Sequence, residues 1–313
     1  MKTQENTIPI ANLDDYLSED IDRKKKFVDV VGSSLRDIGF FAIVGHGLTD
    51  EFIGDAYRKS EELFLKPDNY KKSFEIDQLK GQRGFISFGK EHAKDSDAPD
   101  LKEFWHIGQE KKRESYPDNV WPQDITGFRE VMLEFYEKLE KTSFAILEAC
   151  SSFVGEAPRL MREVAEEGNT ILRLIHYPPI ADDAHPASIR AAAHEDINLI
   201  TLLVDASTPG LELLDRNGNW LPVVTPKNSI IVDSGDMLQN LSNGFYKATT
   251  HRVTNPKDSR SRRFSMPFFV HARSEVPLDP LASCVKKTGG VKKFPDITAG
   301  DYLNQRLKEI GLG

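Results

Sequence analysis

The second half of the chain is a succession of short apolar segments separated by turn residues, and this pattern limits the folds that the chain can adopt. Such segments, bounded by Gly, Pro, Asn and Asp, are typical of β-strands joined by tight turns. Asn217-Gly218, between two of the segments, is a strong signal for a β-hairpin. Many short strands at this spacing predict two packed sheets in a jelly roll. The predicted strands span residues 171–177, 194–204, 210–214, 220–224, 229–232, 246–253 and 263–270.

The first half of the chain mixes helices with a few strands. Apolar residues at helical spacing predict a helix over 20–38, and a buried strand follows over 40–44. Thr49 or Asp50 can cap a second helix, which must end before Pro67. We therefore expect a mixed α/β region at the N-terminal end of the chain.

A long helical pattern over 124–155 predicts a helix that supports the sheets, while 81–102 reads as loops and 298–310 as a final capped helix. We expect an α+β protein with a mainly β core and flanking helices. Four regions are predicted along the chain: a mixed N-terminal region over 1–120, the supporting helix over 121–160, the β core over 165–275 and a helical tail over 276–313.

Charge and composition exclude several classes of function. The net charge of -8 argues against a protein that binds nucleic acid through a basic surface. Cys150 and Cys284 have no metal-binding spacing and fit a reducing compartment. We see neither an apolar leader in the first residues nor a run of about 20 apolar residues to span a bilayer. These features predict a cytoplasmic enzyme, a monomer or weak homo-oligomer, without nucleic-acid or membrane partners.

His194, Asp196 and His251 are the residues most indicative of chemistry. Two imidazoles and one carboxylate can hold Fe(II) on one face and leave the other face open. His194 and Asp196 are two positions apart, so on a strand their side chains point to the same side. His251 has β-prone neighbours and would supply the third ligand from a remote strand. The set predicts an iron site that activates O2, and Zn(II) is the alternative metal.

A carboxylate-binding pair follows the last histidine. Arg263 and Ser265 are also two positions apart, so a guanidinium and a hydroxyl can grip one carboxylate together. Three further residues are candidates for contact with the substrate. Arg83 can pair with a substrate carboxylate or be an exposed loop residue, and Phe104 and His106 can line the pocket or belong to the core.

Several motifs occur in the order found in one enzyme family, and the chain resembles the iron/2-oxoglutarate-dependent oxygenases of the isopenicillin N synthase-like family. The resemblance implies a double-stranded β-helix core after a non-haem dioxygenase-type N-terminal region. It also implies that His194, Asp196 and His251 bind the iron. The matching segments are 38–47, 194–203, 235–239, 242–244, 251–253 and 263–269.

The resemblance implies a co-substrate site as well. Arg263 and Ser265 would bind the distal carboxylate of 2-oxoglutarate, and Tyr177 matches a tyrosine that helps there. Ile175 stands where many plant members have Asn, which weakens the analogy with the plant enzymes.

The implied reaction is hydroxylation or desaturation of a small molecule, which can itself bear a carboxylate. It would need Fe(II), 2-oxoglutarate and O2, release succinate and CO2, and take ascorbate as a candidate reductant. Two alternatives stay open at this point: an iron oxidase that works without 2-oxoglutarate, as isopenicillin N synthase does, and a non-catalytic metal-binding sensor.

Overall fold

Two β-sheets form the centre of the protein in the computed structural model, which describes residues 7–90, 100–111, 116–180, 189–204 and 209–309. In order of position along the sequence, the strands are β1 (Ile10–Asn12), β2 (Phe40–Val44), β3 (Gly84–Ile86), β4 (Glu103–Gly108), β5 (Ile171–Tyr177), β6 (Ala191–His194), β7 (Ile200–Val204), β8 (Leu211–Leu214), β9 (Trp220–Pro222), β10 (Ile230–Ser234), β11 (His251–Val253) and β12 (Arg263–Val270). The larger sheet has the order β1-β2-β10-β7-β12-β5-β4-β3, and the smaller sheet has the order β6-β11-β8-β9. This arrangement confirms the predicted jelly roll.

Helices flank the sheets, as expected. They are α1 (Leu13–Leu17), α2 (Ile21–Asp37), α3 (Asp50–Phe64), α4 (Asp68–Lys72), α5 (Phe128–Val154), α6 (Leu160–Ala165), α7 (Asp236–Leu241), α8 (Ala282–Lys287) and α9 (Ala299–Glu309). Thr49 caps α3 by accepting a hydrogen bond from the N–H of Phe52, at the predicted start of that helix. No helix in the described ranges is long and apolar enough to cross a membrane.

Each inner strand of the larger sheet separates the core from a cavity. On β5, Leu172 and Leu174 face the apolar core, which also contains Met132 and Leu139 of α5. Their neighbours Arg173 and Ile175 lie on the cavity wall instead. This alternation follows from the two-residue period of a strand. Strands β1 to β4 of the N-terminal region extend the same sheet, so α5 supports both parts of the chain.

The prediction of one strand over residues 194–204 was wrong. Residues 194–204 do not form a single strand, because β6 ends at His194 in the smaller sheet and β7 begins at Ile200 in the larger one. Between them the chain pairs with the start of α7. The N–H of Asp236 donates to the carbonyl of Asp196, and the N–H of Met237 donates to that of Ile197. These hydrogen bonds to α7 replace the strand-to-strand hydrogen bonds that a continuous strand would form.

Two other predictions needed correction, and one was confirmed. The segment expected to be loops contains β3, which pairs with β4, while 91–99 of that segment lie outside the described residues. The strand expected over 246–253 is only β11, because the preceding backbone bonds elsewhere, as when the N–H of Lys247 donates to the carbonyl of Leu35. The final helix is present as α9, and residue 310 of its predicted range lies outside the described part.

Two helical glycines provide a matched test of the packing between α2 and α5. A Cβ atom at Gly32 would lie 2.0 Å from a ring carbon of Phe153, whereas one at Gly54 would meet only the Arg58 guanidinium at 3.4 Å. We expect Gly32→Ala to lower the free energy of unfolding by about 1–2 kcal/mol, because overpacking outweighs the better helix propensity of Ala. Gly54→Ala should raise it by about 0.5–1 kcal/mol. Urea denaturation measures both, and an equal gain in the two variants would contradict the packing described here.

Candidate metal and co-substrate site

His194, Asp196 and His251 converge at one point, although His251 is remote from the other two in sequence. His194 ends β6, His251 begins β11, and Asp196 lies in the connection that leads to β7. The Nε2 atoms of His194 and His251 are 3.7 and 3.9 Å from Oδ1 of Asp196, and one ligand atom of each residue lies within 4.8 Å of the others. Two ligands of one ion at about 2.1 Å can be at most about 4.2 Å apart, and the two nitrogen–oxygen distances of 3.7 and 3.9 Å lie below that limit, as a shared metal requires.

Main-chain carbonyls orient both imidazoles. His194 Nδ1 is 2.6 Å from the carbonyl oxygen of Ala192, and His251 Nδ1 is 3.1 Å from that of Thr249. A carbonyl can only accept, so each Nδ1 carries a proton, and in the neutral imidazole the lone pair is then on Nε2, which faces the centre of the cluster. Burial, and then the neighbouring imidazole of His194, lower the pKa of His251, which favours the neutral, ligating form.

Asp196 is fixed from the opposite side. Its Oδ2 accepts a hydrogen bond from the hydroxyl of Thr201, and that hydroxyl accepts one from Asn198 Nδ2 at 2.9 Å. Its Oδ1 therefore faces the two imidazoles. A carboxylate with one oxygen bonded to the protein and one aimed at two imidazoles is a suitable donor set for a divalent cation. Sequence reasoning did not identify these orienting partners.

The predicted carboxylate-binding residues come together on adjacent strands. Arg263 of β12 pairs in register with Tyr177 of β5, and Ser265 pairs with Ile175. The guanidinium carbon of Arg263 lies 5.0 Å from the centre of the Tyr177 ring. All four residues are buried and line the same cavity as the three possible metal ligands. Ile175 thus gives the cavity wall an apolar side chain at the position where an Asn would give it a polar one.

A second arginine, which the sequence gave no reason to select, supports this end of the cavity. The guanidinium carbon of Arg190 lies 5.8 Å from the ring of Tyr177, and its Nη2 donates to the carbonyl of Ser261 at 2.6 Å. Burial, and then the charge of Arg263, lower the pKa of Arg190. Two buried cations beside one tyrosine create a positive environment that suits a carboxylate.

The cavity between the sheets has a volume of about 240 Å³. Of the three residues predicted to contact the substrate, Arg83, Phe104 and His106, one lines this cavity. His106 lies on its wall. Phe104 lies in an apolar cluster with Ile86, Ile175 and Tyr177 rather than on the wall.

Arg83 is neither exposed in a loop nor on the cavity wall. It is 1% exposed, and its guanidinium packs on Gly108, where a Cβ atom would come within 2.0 Å of it. Its hydrogen-bond partners are neutral, namely the carbonyl of Gln82 at 2.7 Å and Oδ1 of Asn169 at 3.4 Å. The absence of a side chain at Gly108 explains this position, which a sequence pattern cannot show.

The last helix, α9, closes part of the cavity with Leu303, Arg306 and Leu307. Arg306 connects this helix to the region of the possible metal ligands, because its Nη2 is 3.3 Å from Oδ2 of Asp236. Both side chains are largely buried. Burial raises the pKa of Asp236, and the charge of Arg306 acts against that shift.

Comparisons with known proteins agree with this geometry. The chain matches the family model for the N-terminal part of the non-haem dioxygenase in morphine synthesis over residues 8–124, and that of the 2OG-Fe(II) oxygenase superfamily over residues 168–272. A 2-oxoglutarate-Fe(II) type oxidoreductase, ppzD of Metarhizium rileyi, is 32% identical over 87% of this chain and 82% of its own length.

Solved structures extend the likeness to the whole fold. A 2OG-Fe(II) oxygenase family protein from Caulobacter crescentus is 34% identical, with a TM-score of 0.85 over 97% of this chain and 99% of that one. Neurospora crassa T7H, solved with alpha-KG and thymine, is 25% identical, with a TM-score of 0.86 over 96% of each chain.

Fold, site and relatives together define an iron-dependent dioxygenase. The chain belongs to the 2OG-Fe(II) oxygenase superfamily, in its isopenicillin N synthase-like group. It is an oxidoreductase that uses Fe(II), 2-oxoglutarate and O2 to oxidise a small-molecule substrate. The family, the double-stranded β-helix fold and the cofactors predicted from the sequence are confirmed.

The contact between Arg306 and Asp236 predicts how firmly α9 is held. Arg306→Gln leaves a buried carboxylate without its cation, so local opening of α9 should become easier by about 1–3 kcal/mol. Hydrogen–deuterium exchange of residues 299–309 should accelerate accordingly. Lys308→Gln, at an exposed position of the same helix, is the control and should leave exchange unchanged. Equal exchange in the two variants would show that the ion pair does not hold the helix.

Proposed function

We propose that His194, Asp196 and His251 bind the Fe(II) of this enzyme, and that Arg263, Ser265 and Tyr177 bind the distal carboxylate of 2-oxoglutarate. In this proposal the three metal ligands are also the catalytic residues. The reaction is the hydroxylation or desaturation of a small organic molecule, with conversion of 2-oxoglutarate to succinate and CO2.

One observation carries the proposal: Nε2 of His194 and Nε2 of His251 lie 3.7 and 3.9 Å from the same carboxylate oxygen of Asp196, which is too far for a hydrogen bond and close enough for a shared ion. The carbonyls of Ala192 and Thr249 hold a proton on each Nδ1, so Nε2 is the ring nitrogen that each histidine has left to bind a metal. A structural pair of histidines beside an Asp would instead be expected to donate to it from Nε2. This arrangement favours a metal site over a hydrogen-bonded cluster.

The chain itself supplies binding, orientation and exclusion of water. Bound Fe(II) supplies the O2 chemistry, in which the oxidation of the substrate is coupled to the oxidative decarboxylation of 2-oxoglutarate. Arg263 and Ser265 can together give three hydrogen bonds to one carboxylate, which fixes the co-substrate in one orientation. Phe40 packs edge-on against the ring of His251, with 5.5 Å between ring centres, and shields that ligand from solvent.

We extend the proposal to the compartment, the oligomeric state and the reductant of the enzyme. We place it in the cytoplasm, as a monomer or weak homo-oligomer, with ascorbate as a reductant that keeps the iron ferrous. The substrate is a small organic compound, which can itself bear a carboxylate. T7H, solved with thymine, supports a substrate of about that size.

Anaerobic spectroscopy tests the assignment of the co-substrate. Addition of Fe(II) and then 2-oxoglutarate to the metal-free protein should produce a visible metal-to-ligand charge-transfer band that requires both. Arg263→Ala should weaken 2-oxoglutarate binding by about 10- to 100-fold, because it removes charge-assisted hydrogen bonds. Asp196→Ala should abolish turnover, measured as succinate release.

The neighbouring residue provides the matched control. Arg262 precedes β12 and is exposed, so Arg262→Ala should leave the affinity for 2-oxoglutarate unchanged. Fe(II) binding without the band would move Arg263 and Ser265 to a substrate carboxylate. Full turnover in Asp196→Ala would show that the iron site has been placed wrongly.

A further inference from the structure

The carboxyl group of Asp233 is a buried acid on the cavity wall that belongs to neither the proposed iron site nor the co-substrate site. Asp233 lies on β10, is 4% exposed and lines the cavity, as does Ile231 two positions earlier. Val232, between them, belongs to the apolar core. Oδ2 of Asp233 is buried and has no hydrogen-bond partner among the residues that the structure describes. A buried polar atom in this state is unfavourable unless a ligand supplies the missing partner.

The two neighbouring strands offer this carboxyl group no donor. Asp233 lies opposite Thr201 of β7 on one side and opposite Phe40 of β2 on the other. The hydroxyl of Thr201 has a single proton, which it donates to Oδ2 of Asp196. The side chain of Phe40 has no polar atom, and its ring packs against His251. A donor for Asp233 therefore has to come from the cavity.

Charges of both signs line the cavity, and the other acids on its wall have partners. Asp100 forms an ion pair with Lys102, with 2.9 Å between Oδ2 and Nζ. Glu195 accepts a hydrogen bond from a threonine hydroxyl, and Asp196 is a proposed iron ligand. Asp233 is thus the acid that remains without a partner among those that the structure describes on this wall.

Asp233 lies close to the point at which the substrate is oxidised. Directly opposed residues of antiparallel strands have Cβ atoms about 4.5–5.5 Å apart, so Asp233 is beside the residue, Thr201, that holds Asp196. Burial, and then the charge of Asp196, raise the pKa of Asp233, and a carboxyl group keeps an acceptor oxygen in both protonation states. A substrate group bound by Asp233 is therefore within a few bonds of the carbon that reacts at the iron.

We propose that Asp233 accepts a hydrogen bond from an N–H or O–H group of the organic substrate, and so selects substrates that have such a donor near the oxidised carbon. Alcohols and amides are the simplest compounds of this kind. An analogue whose donor is blocked by a methyl group would leave the carboxyl group unpaired against an apolar surface, and this penalty is the source of the selectivity. The inference rests on the proposed function, which places the substrate beside an iron bound by Asp196.

Paired probes test this selectivity. The protein loaded anaerobically with Fe(II) and saturating 2-oxoglutarate is titrated by calorimetry with three donors and their methylated forms, namely benzyl alcohol and benzyl methyl ether, cyclohexanol and methoxycyclohexane, and 2-piperidone and N-methyl-2-piperidone. At least one donor should bind about 10-fold more tightly than its methylated form, the ratio expected when a buried polar group is left unpaired. Asp233→Ala should abolish that preference, and Asp233→Asn should retain part of it through the amide oxygen.

Stability distinguishes a residue kept for binding from one that holds the cavity together. Asp233→Asn removes an unpartnered buried acid beside Asp196 without a change of shape, so the midpoint of urea denaturation of the ligand-free protein should rise. A lower midpoint would give the carboxyl group a structural role and overturn the inference. Glu61→Gln, the same chemical change at an exposed position on α3, should alter neither the midpoint nor the preference.

The affinity for 2-oxoglutarate separates the possible failures. An unchanged affinity in Asp233→Asn shows that the cavity is intact, whereas its loss would assign the carboxyl group to the iron site and overturn the inference. If Asp233→Ala does not fold, Asp233→Asn carries the comparison. A native protein that binds 2-oxoglutarate but prefers no donor, or a preference that survives unchanged in the Asp233 variants, overturns this inference alone. A native protein that does not bind 2-oxoglutarate overturns the proposed function as well.

Discussion

The antiparallel pairing of β5 with β12 is the constraint on which the rest of the site depends. Its register sets Arg263 opposite Tyr177, and the two-residue period then turns Ser265 and Arg173 toward the same cavity. A slip of β5 by one residue would bring Leu174 to the cavity and bury Arg173 against α5. The apolar contacts on the core face of the sheet therefore determine which polar side chains line the cavity on its other face. The register of β5 with β12 thus both stabilises the core and positions the residues of the site.

The histidines of the site are oriented by local backbone rather than by remote side chains. In His194, His251 and His271, Nδ1 lies within hydrogen-bond distance of the carbonyl two residues earlier. Such a bond depends on strand geometry and hardly on the neighbouring residue types. Asp196 differs, because a side chain, Thr201, takes one of its oxygens.

Sequence periodicity predicted those elements whose side chains alternate between core and solvent or cavity. β5, β12, α2 and α5 were found within a few residues of their bounds, as was the capped start of α3. The connection at Asp196 was missed, because hydrogen bonds to α7, remote in sequence, replace a ladder that local apolar residues would favour. The position of Arg83 depends on the missing side chain of Gly108. Such features arise from tertiary packing.

The most direct test of the account is a crystal structure of the anaerobic protein with Mn(II), in place of Fe(II), and 2-oxoglutarate. Anomalous scattering would locate the ion. The account predicts one ion bonded to Nε2 of His194, Nε2 of His251 and a carboxylate oxygen of Asp196, with the distal carboxylate of 2-oxoglutarate at Arg263 and Ser265. An ion bound elsewhere, or a co-substrate whose distal carboxylate lies away from Arg263, would contradict it.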